Sequence, residues 1–134
     1  SAPKGKSVLI FIADAQNNVY AAKPASYAGT VAALIGLDNL AAGLPDGGGF
    51  YAGYALFSAE QATQTEPDLV LTITPAPSPA PRLSAVLSRT PGFKDMPAVK
   101  EGHIVELDPV LFLQAPGPRV ADAVEGLLAI VQTK

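Results

Sequence analysis

Seventeen residues, Ser58 to Thr74, read SAEQATQTEPDLVLTIT and leave the backbone little freedom. Ser58 followed three positions later by Gln61 makes a capping box: the serine hydroxyl takes the Gln61 backbone N–H, and the glutamine side chain reaches back to the N–H of the cap. A short helix therefore starts at Ala59. Glu66-Pro67 closes it, because proline lacks an amide hydrogen and drives its predecessor out of helical geometry. Asp68 to Thr74 is then a strand whose aliphatic and β-branched residues run without polar alternation. Such a run is expected where helices cover both faces of a parallel sheet.

The other segments repeat this alternation. Ser7 to Ala13, SVLIFIA, is a second buried strand, and the SAPKGK before it reads as a tail. Asp14-Ala15-Gln16-Asn17-Asn18 is a loop, since Asn and Asp bond their own backbone and tolerate left-handed geometry. Val19-Tyr20 extends briefly before Pro24. From Ser26 to Ile35 the string carries Tyr27, Val31, Leu34 and Ile35 at helical spacing, with Gly36 placed to end the helix. Leu44 to Gly49 is a loop by composition, and Tyr51 to Phe57 includes a short extended piece. Pro75 to Pro81 holds four prolines in seven positions, a stiff loop. A helix from Pro81 to Ser88 turns Leu83, Val86 and Leu87 inward and ends at Thr90-Pro91-Gly92. His103 to Leu107 is a third strand, stopped by Asp108-Pro109. After Pro116-Gly117-Pro118, the spacing of Val120, Val124, Leu127, Leu128 and Val131 predicts a final helix with one stripe against the sheet.

Strands separated by helical patterns imply an α/β/α sandwich of three layers with a mainly parallel sheet, a single Rossmann-like lobe. A length of 134 residues suits one domain with its own core. In such sheets ligands bind beyond the carboxyl ends of the strands. That rule selects the loops at Asp14–Tyr20, Thr74–Pro81 and Asp108–Pro116. Twelve acidic against nine basic residues leave no basic field for a phosphate backbone, which argues against a nucleic-acid partner. No window reaches the roughly 20 apolar residues of a membrane span, so the chain reads as soluble. Cysteine is absent, which excludes disulfides and thiolate chemistry.

Catalytic patterns are sparse. The single histidine, His103, opens a strand at the edge opposite those loops and reads as a strand-end residue rather than a base. Gly47-Gly48-Gly49 resembles a glycine-rich oxyanion loop, but no G-x-S-x-G elbow supplies a nucleophile. No phosphate-binding glycine motif follows a strand. Asp14 and Asp108 follow strands and are read as turn and cap residues before paired acids.

Taken in order, SVLIFI, SYAGTVAALIGLDNLA, YALFSAEQATQTEPDLVL, MPAVKEGHIVELD and PGPRVADAVEGLLAI resemble the carboxy-terminal lobe of the substrate-binding proteins that serve ABC importers for iron-siderophores, haem and vitamin B12. The likeness runs from about Lys6 to Ile130. It implies a receptor without catalysis that holds a chelate between two lobes and delivers it to a membrane permease. This chain would be one lobe of a longer protein, periplasmic or extracellular, with the question of a lipoprotein anchor left to the full-length form.

The resemblance implies site residues too. Glu60, in the S-x-E segment, would stand on the exposed tip and meet arginines of the permease; a carboxylate in a first helical turn is also favoured by the helix dipole. Tyr54 falls where the family places an aromatic before that segment. Asn17, Tyr20, Thr74, Phe112 and Gln114, on the loops past the strand ends, would face the same cleft, where aromatics bury much area and amides fix orientation. Haem would need an axial donor, for which Tyr20, Tyr51 and Tyr54 are available, and an anionic siderophore would suit Arg82 and Arg119. No resident cofactor or metal is expected. Two other readings stay open: an α/β hydrolase-like enzyme using His103, and a small α/β protein-interaction domain.

Overall fold

The computed structural model describes residues 6–13, 19–24, 26–34, 36–42, 54–74, 81–107, 125–126 and 129. Val8-Leu9-Ile10-Phe11-Ile12 and Leu69-Val70-Leu71-Thr72-Ile73 hold one polar residue between them, a composition stable only where both faces of a sheet are covered. They form the centre. Strand β1 (Ser7–Ala13) pairs in parallel with β5 (Leu69–Ile73), in register from Val8 opposite Leu69 to Ile12 opposite Ile73. On the far side of β5, β6 (Ile104–Leu107) adds a third parallel strand.

The other edge of β1 is shared. Strand β2 (Val19–Ala22) pairs antiparallel with Phe11 to Ala13, while the two-residue β3 (Asp38–Asn39) pairs in parallel with Ser7 and Val8. Strand β4 (Tyr54–Leu56) then joins β2 in antiparallel sense, giving the order β4-β2-β1-β5-β6. The expected parallel sheet is thus present at the centre, with an antiparallel margin. The reason is connection length: five residues separate β1 from β2, too few for a parallel crossover.

Strict alternation along β1 and β5 sends side chains into two cores. Val8, Ile10, Leu69, Leu71, Ile73 and Leu107 pack with Ala28, Val31 and Ala32 of α1 (Tyr27–Leu34). Leu9, Phe11 and Val70 pack on the opposite face against three short helices. These are α2 (Ala59–Thr63), α3 (Leu83–Leu87) and α4 (Pro97–Lys100). A sheet between two helical layers results. Residues 125, 126 and 129 are helical, and the expected stripe of the final helix lies outside the described residues.

Several local expectations meet their outcome here. Gly36 adopts φ 86°, the left-handed stop anticipated after α1. Leu34, one of the apolar residues noted at helical spacing, is 62% exposed. Helix α1 leads with Ala28 and Ala32 onto a sheet already filled by Ile10, Leu71 and Ile73, so its contact face is narrow and Leu34 falls outside it. Helix α2 ends at Thr63, ahead of Glu66-Pro67. There the Thr63 hydroxyl donates to the Glu60 carbonyl and the Thr65 hydroxyl to that of Gln61, competing with further helical bonding. Helix α4 was not anticipated, although Pro97 at its first position is a start signal.

Candidate functional site at the carboxyl rim

Strand register decides which residues meet. Val19 lies opposite Ala13, and Leu56 opposite Tyr20, so β2 begins and β4 ends beside the carboxyl terminus of β1. Ile73 lies beside Ile12, and Leu107 beside Ile73. The start of α2, which follows β4, and the start of α3, which follows β5, therefore rise from one rim. This rim gathers Tyr20, Glu60 and Thr74 from three separate elements.

Glu60 is exposed, and its support is rigid. Ser58 Oγ accepts the Gln61 N–H at 3.1 Å while the Ser58 N–H donates to Gln61 Oε1 at 2.8 Å, completing the capping box. Phe57, just before the cap, and Ala62, in the helix, enter the same core, as a hydrophobic staple requires. Phe57 also packs, with tilted rings, at 5.1 Å from Phe11 and 6.2 Å from Phe93, and Phe93 meets Phe11 edge-on at 5.5 Å. Each such aromatic pair adds about 0.5–1.5 kcal/mol beyond burial. Gly92, at φ 89°, lets the Phe93 turn approach α2 so closely that a Cβ there would sit 2.7 Å from the Ala59 carbonyl oxygen. An acid on solvent thus stands on a fixed platform.

Tyr20, expected on a loop, is in β2 and half-buried, because its backbone continues the pairing with Ile12 and Leu56. Tyr54 lies lower, opposite Ala22, and packs against the core on the α1 face. Burial there pushes its hydroxyl pKa above the ordinary tyrosine value. Thr74 is buried, and its Oγ1 accepts the Leu83 N–H at 2.7 Å, which leaves the hydroxyl proton as a donor. Arg82 is half-buried at the N-cap of α3 without a side-chain capping bond. Asn17, Tyr51, Phe112, Gln114, Arg119, Asp14, Asp108 and Gly47 to Gly49 lie outside the described residues.

One residue of the rim has no counterpart in the sequence reading. Glu106, next to last in β6, accepts the Thr72 hydroxyl at 2.6 Å and the Ser84 N–H at 3.2 Å, both through Oε1. Its Oε2 is buried and has no hydrogen-bond partner among the described residues. The available signal was a lone acid inside the apolar run HIVEL.

The opposite edge is different in kind. A cleft of about 280 Å³ there is lined by Lys6, Glu66, Asp68, Glu101 and His103 among others. Asp68 Oδ2 accepts the Ser7 N–H at 2.9 Å and the Ser7 hydroxyl at 3.1 Å, and the Asp68 N–H donates back to Ser7 Oγ at 2.9 Å. The Ser7 N–H above all holds the Asp68 carboxyl below the usual range; burial, next in size, opposes it, and the Ser7 hydroxyl and the charge of Lys6 add lesser lowering. His103 Nδ1 faces Glu101 Oε1 at 3.8 Å, so among the described residues its partner is an acid and not a nucleophilic serine. Among the same residues no group of three or more metal-ligating side chains converges, and no helix is long and apolar enough to cross a membrane.

The family model described as periplasmic binding protein matches residues 1–111. No curated protein matches the chain by sequence. Among solved structures, a periplasmic haem-binding protein of Vibrio cholerae superposes with a TM-score of 0.73 at 22% identity, covering 96% of this chain and 48% of that one. A siderophore periplasmic binding protein of Thermobifida fusca gives 0.74 at 16%, covering 97% and 45%. A periplasmic vitamin B12 binding protein of Vibrio cholerae gives 0.70 at 18%, covering 97% and 45%. At these identities the likeness is one of fold. The chain spans about half the length of these structures.

Proposed function

The chain belongs to the periplasmic binding protein family, and from that premise we propose that it is one ligand-binding lobe of an ABC-importer substrate-binding protein. The observation that carries the reading is the family match over residues 1–111, joined to structural neighbours about twice as long that bind haem, a siderophore or vitamin B12. The protein is a carrier and not an enzyme, and its place is the periplasm. In this reading residues 1–134 are a single lobe, the carboxy-terminal half of a longer receptor, with 1–6 as a tail.

The cargo is an iron chelate, a haem or a cobalamin, held between the carboxyl rim and a facing lobe. Tyr20 and Thr74 stand at that rim, with Asn17, Phe112 and Gln114 proposed on the loops that extend it; Tyr54 contributes from the half-buried margin. Large flat or macrocyclic cargo is matched by aromatic area with few polar anchors. Glu60 is the docking acid for the permease. Exposed charge pairs contribute about 0.2–1 kcal/mol, whereas close pairs across a formed interface have measured roughly 1.5–7 kcal/mol, so its contribution awaits the partner.

Titration of the purified chain with hemin, cyanocobalamin and a ferric hydroxamate, followed by absorbance and tyrosine fluorescence, tests the cargo reading. Weak saturable binding of one probe is expected, since half of the enclosing wall lies in the facing lobe. Binding of none, or hydrolysis of a model ester that His103→Ala abolishes, rejects it. Glu60→Arg in the full receptor is expected to leave folding and capture intact while transport in cells falls; unchanged uptake removes Glu60 from the docking surface.

A further inference from the structure

We infer that Glu106 is a positioning residue of the carboxyl rim, holding the first turn of α3 against the ends of β5 and β6 in the geometry that cargo binding uses. The inference rests on the lobe reading above. It starts from α3 itself, a five-residue helix whose N-cap, Arg82, makes no side-chain capping bond. The first N–H groups of any helix lack partners within it. Here two successive ones find acceptors outside the helix: Leu83 N–H donates to Thr74 Oγ1 just past β5, and Ser84 N–H donates to Glu106 Oε1 near the end of β6.

Glu106 does more than cap. The same Oε1 receives the Thr72 hydroxyl at 2.6 Å, so one oxygen ties β5, β6 and α3 at a single point. An apolar side chain at this position, like Ile104 two residues earlier on the same strand face, would pack against the same core and leave both donors unmatched. The cost accepted for the acid is visible in Oε2, which is buried without a partner among the described residues. Such an arrangement makes sense where the place of the helix start matters more than the stability of the core beneath it, and α3 begins on the rim that faces cargo.

Amide hydrogen exchange and cargo titration, run on the wild-type chain, Glu106→Ala and Glu106→Gln, separate the two halves of the claim. In Glu106→Ala the Ser84 amide is expected to exchange at least tenfold faster, while the Ala62 amide, bonded to the Ser58 carbonyl in α2, keeps its rate. Affinity for whichever of hemin, cyanocobalamin or ferric hydroxamate the wild type binds is expected to fall about tenfold. Glu106→Gln retains an oxygen for both donors and is expected to restore the slow Ser84 exchange and most of the affinity. Unchanged Ser84 exchange in Glu106→Ala overturns the tie itself. Faster exchange with unchanged affinity overturns its role in binding. A wild type that binds none of the three probes sinks the cargo reading and the positioning role with it, while the exchange rates still judge the tie.

Discussion

Two helices of equal length on the same face of the sheet are held in opposite ways. Helix α2 closes its own amino end with Ser58 and Gln61, three residues apart, and buries only Ala62. Helix α3 has no cap of its own, borrows Thr74 and Glu106 from other elements, and buries Leu83 and Leu87. The first has a locally specified start and carries an exposed acid. The second is placed by tertiary contacts and forms part of the rim. Local capping leaves α2 with an exposed face, whereas remote capping couples α3 to the sheet ends.

The sharpest break of this contrast is Leu87→Ala. Leu87 is 1% exposed, and a buried leucine cut to alanine costs about 2–5 kcal/mol, so α3 is expected to show the largest loss in denaturant unfolding. Next comes Thr74→Val, nearly the same in volume, which strands the Leu83 N–H in a buried setting at about 1–3 kcal/mol. A loss below that of the α2 cap would show that water replaces the threonine and that α3 is less tied than its geometry indicates. Ser58→Ala removes the local cap and is expected to cost about 1 kcal/mol by thermal melting, with the loss confined to α2 in amide exchange.

The smallest effect concerns the turn that carries α2 into β5. Asp68 has its pKa lowered in the folded chain, so the stability it contributes is complete above the unfolded carboxylate value, about 3.9, and is lost as pH falls through the lower folded value. Asp68→Asn should therefore be less stable than wild type at neutral pH and equal to it in strong acid. Because the group is exposed, screening holds the difference to about 0.2–1 kcal/mol. A gap that persists at low pH would assign the effect to the altered side chain rather than to its charge.

The same division governs what could be read in advance. The buried strands, the Ser58 box, the Gly36 stop and the α/β/α layering follow from neighbours in sequence, because apolar runs, caps and glycine turns act over a few residues. The face that Leu34 takes and the antiparallel margin depend on how densely the sheet is filled and how short one connection is. Tyr20 and Tyr54 were legible as candidates, yet their depths, rim and half-buried margin, are set by pairing across strands.

Residues 58–74 by themselves marked a capped helix followed by a buried strand, since the capping box and the apolar run are patterns of near neighbours, although the strand is held by its pairing with β1 and β6. Only the tertiary structure decided that Glu106, thirty-four residues from Thr72 and twenty-two from Ser84, would become the shared acceptor of a rim. Hydrogen bonds between distant elements leave no periodic trace in a chain, and they exist only once the sheet has brought their partners together.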